Sequence, residues 1–169
     1  MSAPIPQSAF GIASDDPIII TATLWRGAMI DRFAQIEFFI DRTLGCCVTA
    51  AIAQRSEAET TLPRQRCKVL LKALSHPNLV TKTKPARDSL KAVHDVWDER
   101  NALCHGRLKP AAKSVSIHWT VHEKSGGVAK QLRITPAQML EKLRQLERLK
   151  TSLGSQLGAI DKLCERLGT

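Results

Sequence analysis

DPIIITATLWRGAMIDRFAQIEFFIDRTLGCCVTAAI, residues 16–52, decides the fold class of this 169-residue chain. Ile18, Ala22, Trp25, Met29, Phe33, Ile36, Ile40 and Leu44 recur at steps of three and four, which is one face of a long helix. Asp16 before Pro17 is a start signal: a capping side chain, then proline at the first helical position, where its missing N–H costs nothing. The pattern continues through Cys46, Cys47 and Val48 to about Ile52, with a kink or break expected at Gly45.

Downstream, the polar run QRSEAET reads as a connection. A second helix is expected from about Thr61–Pro63, carrying Cys67, Leu70, Leu71 and Leu74, and ended by His76-Pro77-Asn78. After a loop over 78–84, a third helix runs from Pro85 to Cys104 or His105, with Gly106 as its stop. The period then changes from 3.6 to 2. Val115, Ile117, Trp119 and Val121 alternate with polar residues. Lys124-Ser125-Gly126-Gly127 supplies a turn, and Val128, Lys130, Leu132 and Ile134 return. Thr135-Pro136 caps a last helix with the stripe Met139, Leu143, Leu146, Leu149, Leu153, Leu157, Ile160, Cys164 and Leu167. Gly154 and Gly158 either weaken that helix or permit close packing. The reading is a loose arm over 1–14 and one mainly α domain over 15–169. Its expected architecture is an up-and-down helical bundle with a β-hairpin, about 114–134, inserted before the last long helix.

Composition narrows the function classes. The hydrophobic fraction of 43% and charged fraction of 24% suit an ordinary globular chain. Tyrosine is absent, which removes any chemistry that needs a phenol. Five cysteines without a C-x-x-C pair argue against a disulfide framework or a zinc site, so no metal is expected. There is no G-x-x-x-x-G-K-[ST] or G-x-G-x-x-G loop, hence no P-loop or Rossmann site. The N-terminus lacks the pattern of a signal peptide and no window of ~18 apolar residues occurs. A soluble cytoplasmic protein is the expectation, with no membrane partner.

The net charge of +9 is unevenly placed. Residues 64–91 carry +7 and residues 107–133 carry +5, while 1–63 and 92–106 are net acidic. Lys82, Lys84 and Arg107 belong to these two basic segments, which flank the third helix. Solvated faces explain either segment alone; both together suggest a rim for a phosphate-backbone ligand.

On a continuous helix over 85–105, Leu90, Val93, Val96, Leu103 and Cys104 form one arc with Arg100 near its middle. A guanidinium there must be paired or face an interface, because an unpaired buried charge costs several kcal/mol. Glu37, at the edge of the first helix's apolar arc, is a candidate partner. His94, Asp98, Asn101 and His105 share another face, and Asn101 lies one turn from His105, within reach to orient the imidazole. His118 and His122 alternate on the first strand of the hairpin, on the side expected to be exposed. Cys104-His105 is too sparse for a metal.

The segment Glu99-Arg100-Asn101-Ala102-Leu103-Cys104-His105-Gly106 resembles the motif of the HEPN superfamily, the "higher eukaryotes and prokaryotes nucleotide-binding" domains. That motif is an Arg, four to six residues and a His, with a polar residue favoured after the Arg; Arg100, Asn101 and His105 match it. The layout of a long first helix, a motif late in an internal helix and a closing amphipathic helix is also similar. The resemblance implies a HEPN-like bundle and a homodimer with opposed motif helices. It implies a metal-independent ribonuclease of toxin–antitoxin or antiphage type, with Arg100, Asn101 and His105 as catalytic residues and no cofactor. The products would be a 2′,3′-cyclic phosphate and a 5′-hydroxyl. RNA is the implied partner, with an antitoxin or regulatory protein as a further one. Members silenced by AMP transfer carry a Tyr two residues after the His; Arg107 stands there, so that control is not expected. Other members have lost catalysis and serve as RNA-binding, nucleotide-binding or protein-interaction modules, which is the alternative reading.

Overall fold

The computed structural model describes residues 16–60, 62–123 and 126–168, with the side chains of 122 and 123 left aside. The expected arm over 1–14, Thr61, and Lys124 and Ser125 of the expected turn lie outside the described residues, as does the side chain of His122. The elements are α1 (Pro17–Thr49), α2 (Arg55–Ala58), α3 (Pro63–Ala73), α4 (Lys84–Asp95), α5 (Trp97–His105), β1 (Arg107–Ala111), β2 (Ser114–Glu123), β3 (Gly126–Ile134) and α6 (Pro136–Leu167). The chain is therefore mainly helical, with a small antiparallel sheet of order β1-β2-β3 before the last long helix. No described helix is long and apolar enough to cross a membrane.

Two compact units divide the chain: one holds the residues up to Ile30 with Asn101–Leu143, the other Asp31–Arg100 with Arg144 onward. The boundaries fall inside α1, α5 and α6.

In the first unit, Asp16 Oδ1 accepts the Ile18 N–H at 2.9 Å and starts α1 as expected. The sheet buries Val115, Ile117 and Ile134, with Val115 paired to Ile134 and Ile117 to Leu132. Thr135 and Gln138 form a capping box at the head of α6. The Gln138 Oε1 accepts the Thr135 N–H at 2.9 Å, and the Gln138 N–H points back to the Thr135 hydroxyl at 3.4 Å. The expected hairpin is in fact a three-stranded sheet. Its added edge strand, β1, pairs Arg107 with His118 through Ala111 with Ser114. Five residues of mostly exposed, basic character hide that strand from a periodicity reading, and Pro110 is tolerated only because the strand lies at an edge.

In the second unit, the α1 stripe from Phe33 through Ile36, Ile40, Leu44 and Cys47 is buried. So are Leu146, Leu153, Leu157, Ile160 and Cys164 of α6, whereas Leu167 at its end is exposed. Arg32 Nε donates to Glu147 at 3.0 Å and Thr43 donates to Asp161 at 2.6 Å. The Cys47 and Cys164 thiols meet at 3.8 Å. Partner numbers rise together, so α1 and α6 run in the same direction. This corrects a strict up-and-down path. A Cβ on Gly154 would stand 2.8 Å from the Phe39 ring, so this glycine is what lets α6 approach α1. Arg42 lies over the same ring at 5.7 Å and pairs with Asp161 at 2.7 Å, which satisfies both oxygens of that buried carboxylate.

Three further expectations are corrected here. Helix α1 runs through Gly45 without a break. A mid-helix glycine costs about 1 kcal/mol, less than exposing Leu44 and Cys47 beside it. The connection after α1 contains the single turn α2. The third helix is two: α4 ends at Val96, whose N–H reaches the Ala92 carbonyl at 3.4 Å, and the Val96 carbonyl accepts the first turn of α5 from Glu99 and Arg100. On a continuous wheel Ala102 would oppose the Leu90 arc; after the break it is buried.

Helix α1 closes with Ala51 in the left-handed region at φ 55°, and the Ile52 N–H reaches back to the Cys47 carbonyl at 2.8 Å. This is a Schellman closure with a Cβ where glycine is preferred. Ala51→Gly should raise the stability read from the urea midpoint by about 0.5–1 kcal/mol.

Candidate functional site

The nine residues of α5 carry Arg100, Asn101 and His105, whose relative placement is set by the helix itself. Trp97, Ala102 and Leu103 are its buried anchors. Asn101 and His105 are one turn apart and share a face. Arg100 is five residues before His105, about 140° around the axis. No hydrogen bond joins Asn101 to His105 among the described residues. His105 is exposed at the C-terminal end of the helix, where its donors and acceptors meet solvent.

In the second unit, Arg100 meets the partner expected for it. Its Nε donates to Glu37 Oε1 at 2.9 Å, with the two side chains only 22% and 19% exposed. The terminal guanidinium nitrogens have no described partner. Asp41, one turn after Glu37 on α1, is paired with Arg66 of α3. The result is two arginines from separate helices set against two carboxylates on α1. Burial pushes the Asp41 carboxyl above its ordinary 3.8; Arg66 opposes this and Glu37 adds to it. An acid with a raised folded pKa contributes fully below its ordinary pKa, and that contribution is lost as pH rises through the raised value. Relative to Asp41→Asn, the wild type should therefore lose melting temperature as pH rises from below the ordinary 3.8 through the acid range toward neutrality. A difference that stays flat over that range would contradict this assignment.

Arg64 of α3 draws α4 and α5 together. It donates to His94 Nε2 at 3.3 Å and to Asp98 Oδ1 at 3.4 Å. His94 and Asp98 thus share one cation. An open cavity of about 410 Å³ lies beside Asp41 and Arg66, with Arg55 and Glu59 on its wall; Arg100 does not line it. Lys82 and Lys84 are exposed, at the turn before α4 and at its first residue.

In the first unit, Gly106 follows α5 at a point where no side chain fits. A Cβ there would collide with the Ala102 carbonyl oxygen and the Ile117 side chain. Arg26 of α1, which sequence reasoning missed, donates to the carbonyls of Cys104 and Gly106, both at 3.1 Å. It holds the end of α5 on either side of His105. Nothing in its spacing on the α1 stripe marks it apart from any helix-flank arginine. Arg107 opens β1, exposed and opposite His118.

Comparison with protein-family models, with curated proteins and with solved structures finds no match.

Proposed function

We propose that this chain is a metal-independent endoribonuclease of HEPN type, working as a homodimer. The observation that carries the reading is Arg100. Its guanidinium is half-buried and held at Nε by Glu37, its two terminal nitrogens are left for a ligand, and Asn101 and an exposed His105 stand on the same helix.

The chemistry follows from these groups. An imidazole takes the proton of a ribose 2′-hydroxyl as the oxygen attacks phosphorus. The bond from phosphorus to the 5′-oxygen breaks, and that oxygen takes a proton from an imidazolium. A dimer supplies two His105 imidazoles, one for each transfer. Arg100 stabilises the charge gathering on the phosphoryl oxygens, as a planar fork suits that geometry better than an ammonium. Asn101 orients His105 or binds phosphate. Because Arg100 and His105 diverge around one helix, facing motif helices of two copies make a better cleft than either alone. Lys82, Lys84 and Arg107 are the proposed backbone contacts.

One observation favours a second reading. Glu37 already neutralises Arg100, which suits a module that binds RNA without cutting it. The test is end-labelled RNA incubated with the protein in excess EDTA. Cleavage leaving 2′,3′-cyclic phosphate ends supports the enzyme; tight binding without cleavage supports the module. Light scattering should return about twice 18.6 kDa, and a strict monomer at micromolar concentration counts against the shared cleft.

A further inference from the structure

Antiparallel register assigns every residue of the sheet to one of two faces. Leu108, Val115, Ile117, Leu132 and Ile134 share the inward one. The opposite face presents Arg107 and Lys109 from β1, Ser114, Ser116, His118 and Thr120 from β2, and Gln131 and Arg133 from β3. It holds no carboxylate among the described residues. Its two serines are buried beneath the longer side chains: Gln131 donates to the Ser116 hydroxyl at 3.0 Å, and Arg133 Nε donates to the Ser114 hydroxyl at 2.8 Å. Arg133 is thus oriented by a neutral group, and no carboxylate pairs with it among the described residues. Arg107, Lys109 and Arg133 are all exposed.

We infer that this face binds the phosphate backbone of single-stranded RNA; the choice of RNA rests on the ribonuclease reading. Charge complementarity carries the assignment: three cations with no carboxylate partner among the described residues and a half-buried imidazole, with hydroxyl and amide donors between them. Arg107 and Lys109 stand about 6.7 Å apart along β1, a spacing that successive phosphates of an extended strand also take. The one aromatic side chain of β2, Trp119, is on the other face. The surface therefore has no indole or phenyl platform for base stacking, and its binding is to the backbone, with little dependence on base sequence.

The experiment measures binding of a short labelled 2′-O-methyl oligoribonucleotide, which has no free 2′-hydroxyl and is not cut. Arg107→Gln/Lys109→Gln/Arg133→Gln should weaken binding about tenfold at low salt. It should also make the log–log salt slope shallower by roughly 2, at about 0.7 per lost phosphate contact. Arg107→Gln/Lys109→Gln, which keeps the bond from Arg133 to Ser114, should show about two-thirds of that slope change and guards against a folding defect. The comparison is Lys68→Gln/Arg148→Gln/Lys162→Gln, equal in charge and placed on α3 and α6. An equal loss in that variant overturns the assignment, as does an unchanged slope in the sheet variant. Binding of poly-glutamate as tightly as the RNA, with the same loss, also overturns it and makes the ligand an acidic polypeptide. If unmodified RNA is never cut while the sheet variant alone loses affinity, the surface stands and the ribonuclease reading falls. If RNA is cut and the sheet variant binds normally, the reverse holds. A wild type that binds no RNA removes both.

Discussion

His105→Ala should lower the rate of RNA cleavage in EDTA by about 10²–10⁴-fold, the usual contribution of a positioned acid or base. The substitution should cost little stability, because the side chain is exposed and donates to nothing described. Affinity for the uncut 2′-O-methyl strand should survive, since a proton-transfer group acts mainly on the transition state. Arg100→Ala should remove a comparable share of turnover, but it differs in one respect. It strands Glu37, at 19% exposure, without its partner, and so should also lower the melting temperature. Arg100→Lys keeps the charge and loses the fork, so it should recover stability before activity. Single-turnover cleavage and thermal melts on the same preparations separate these outcomes. Full activity in His105→Ala would remove the ribonuclease mechanism.

Gly106→Ala should be strongly damaging for a single added methyl group. The added carbon meets a backbone carbonyl on one side and the buried Ile117 on the other. The carbonyl belongs to Ala102, which already accepts the Gly106 N–H at 2.7 Å, so it has no freedom to swing away. Overpacking of this kind costs about 1–3 kcal/mol, and a backbone obstacle puts it at the upper end. Because Arg26 grips the carbonyls of Cys104 and Gly106, the displacement should also loosen the turn that carries His105. A urea titration should show a midpoint well below wild type, and cleavage should fall further than the folded fraction alone explains. A variant as stable as wild type would mean that the end of α5 yields more readily than these contacts allow.

The long amphipathic helices were readable from residues alone. Trp25, Met29, Phe33, Ile36, Ile40 and Leu44 are all buried, as are Met139, Leu146, Leu153, Leu157, Ile160 and Cys164. Burial along a helix is a local, repeated signal, and many residues report it at once. The pair of Arg100 with Glu37 was legible only as one of two readings: a cation on an apolar arc needs an anion or an interface, and Glu37 at the edge of its own arc fitted a partner or a solvated position equally well. What escaped had no local cause. Neither proline nor glycine stands at Val96, so no local residue marks the break. Strand β1 has only Leu108 and Pro110 on its inner side, too few to show a period. Arg26 acts through carbonyls some 80 residues away, and no spacing on α1 announces that.

The parallel pairing of α1 with α6 has a consequence for how the protein is made. Glu147, Asp161 and Cys164 follow their α1 partners by 115, 118 and 117 residues. At about 5–20 residues per second on the ribosome, that separation is roughly 6–23 seconds. For that interval the side of α1 that α6 will cover, with Phe39, Thr43 and Cys47, has left the exit tunnel and faces water or whatever else is near. That side of α1 thus stays without its α6 partner throughout the interval, and a nascent-chain chaperone that binds apolar helices would meet it before α6 does.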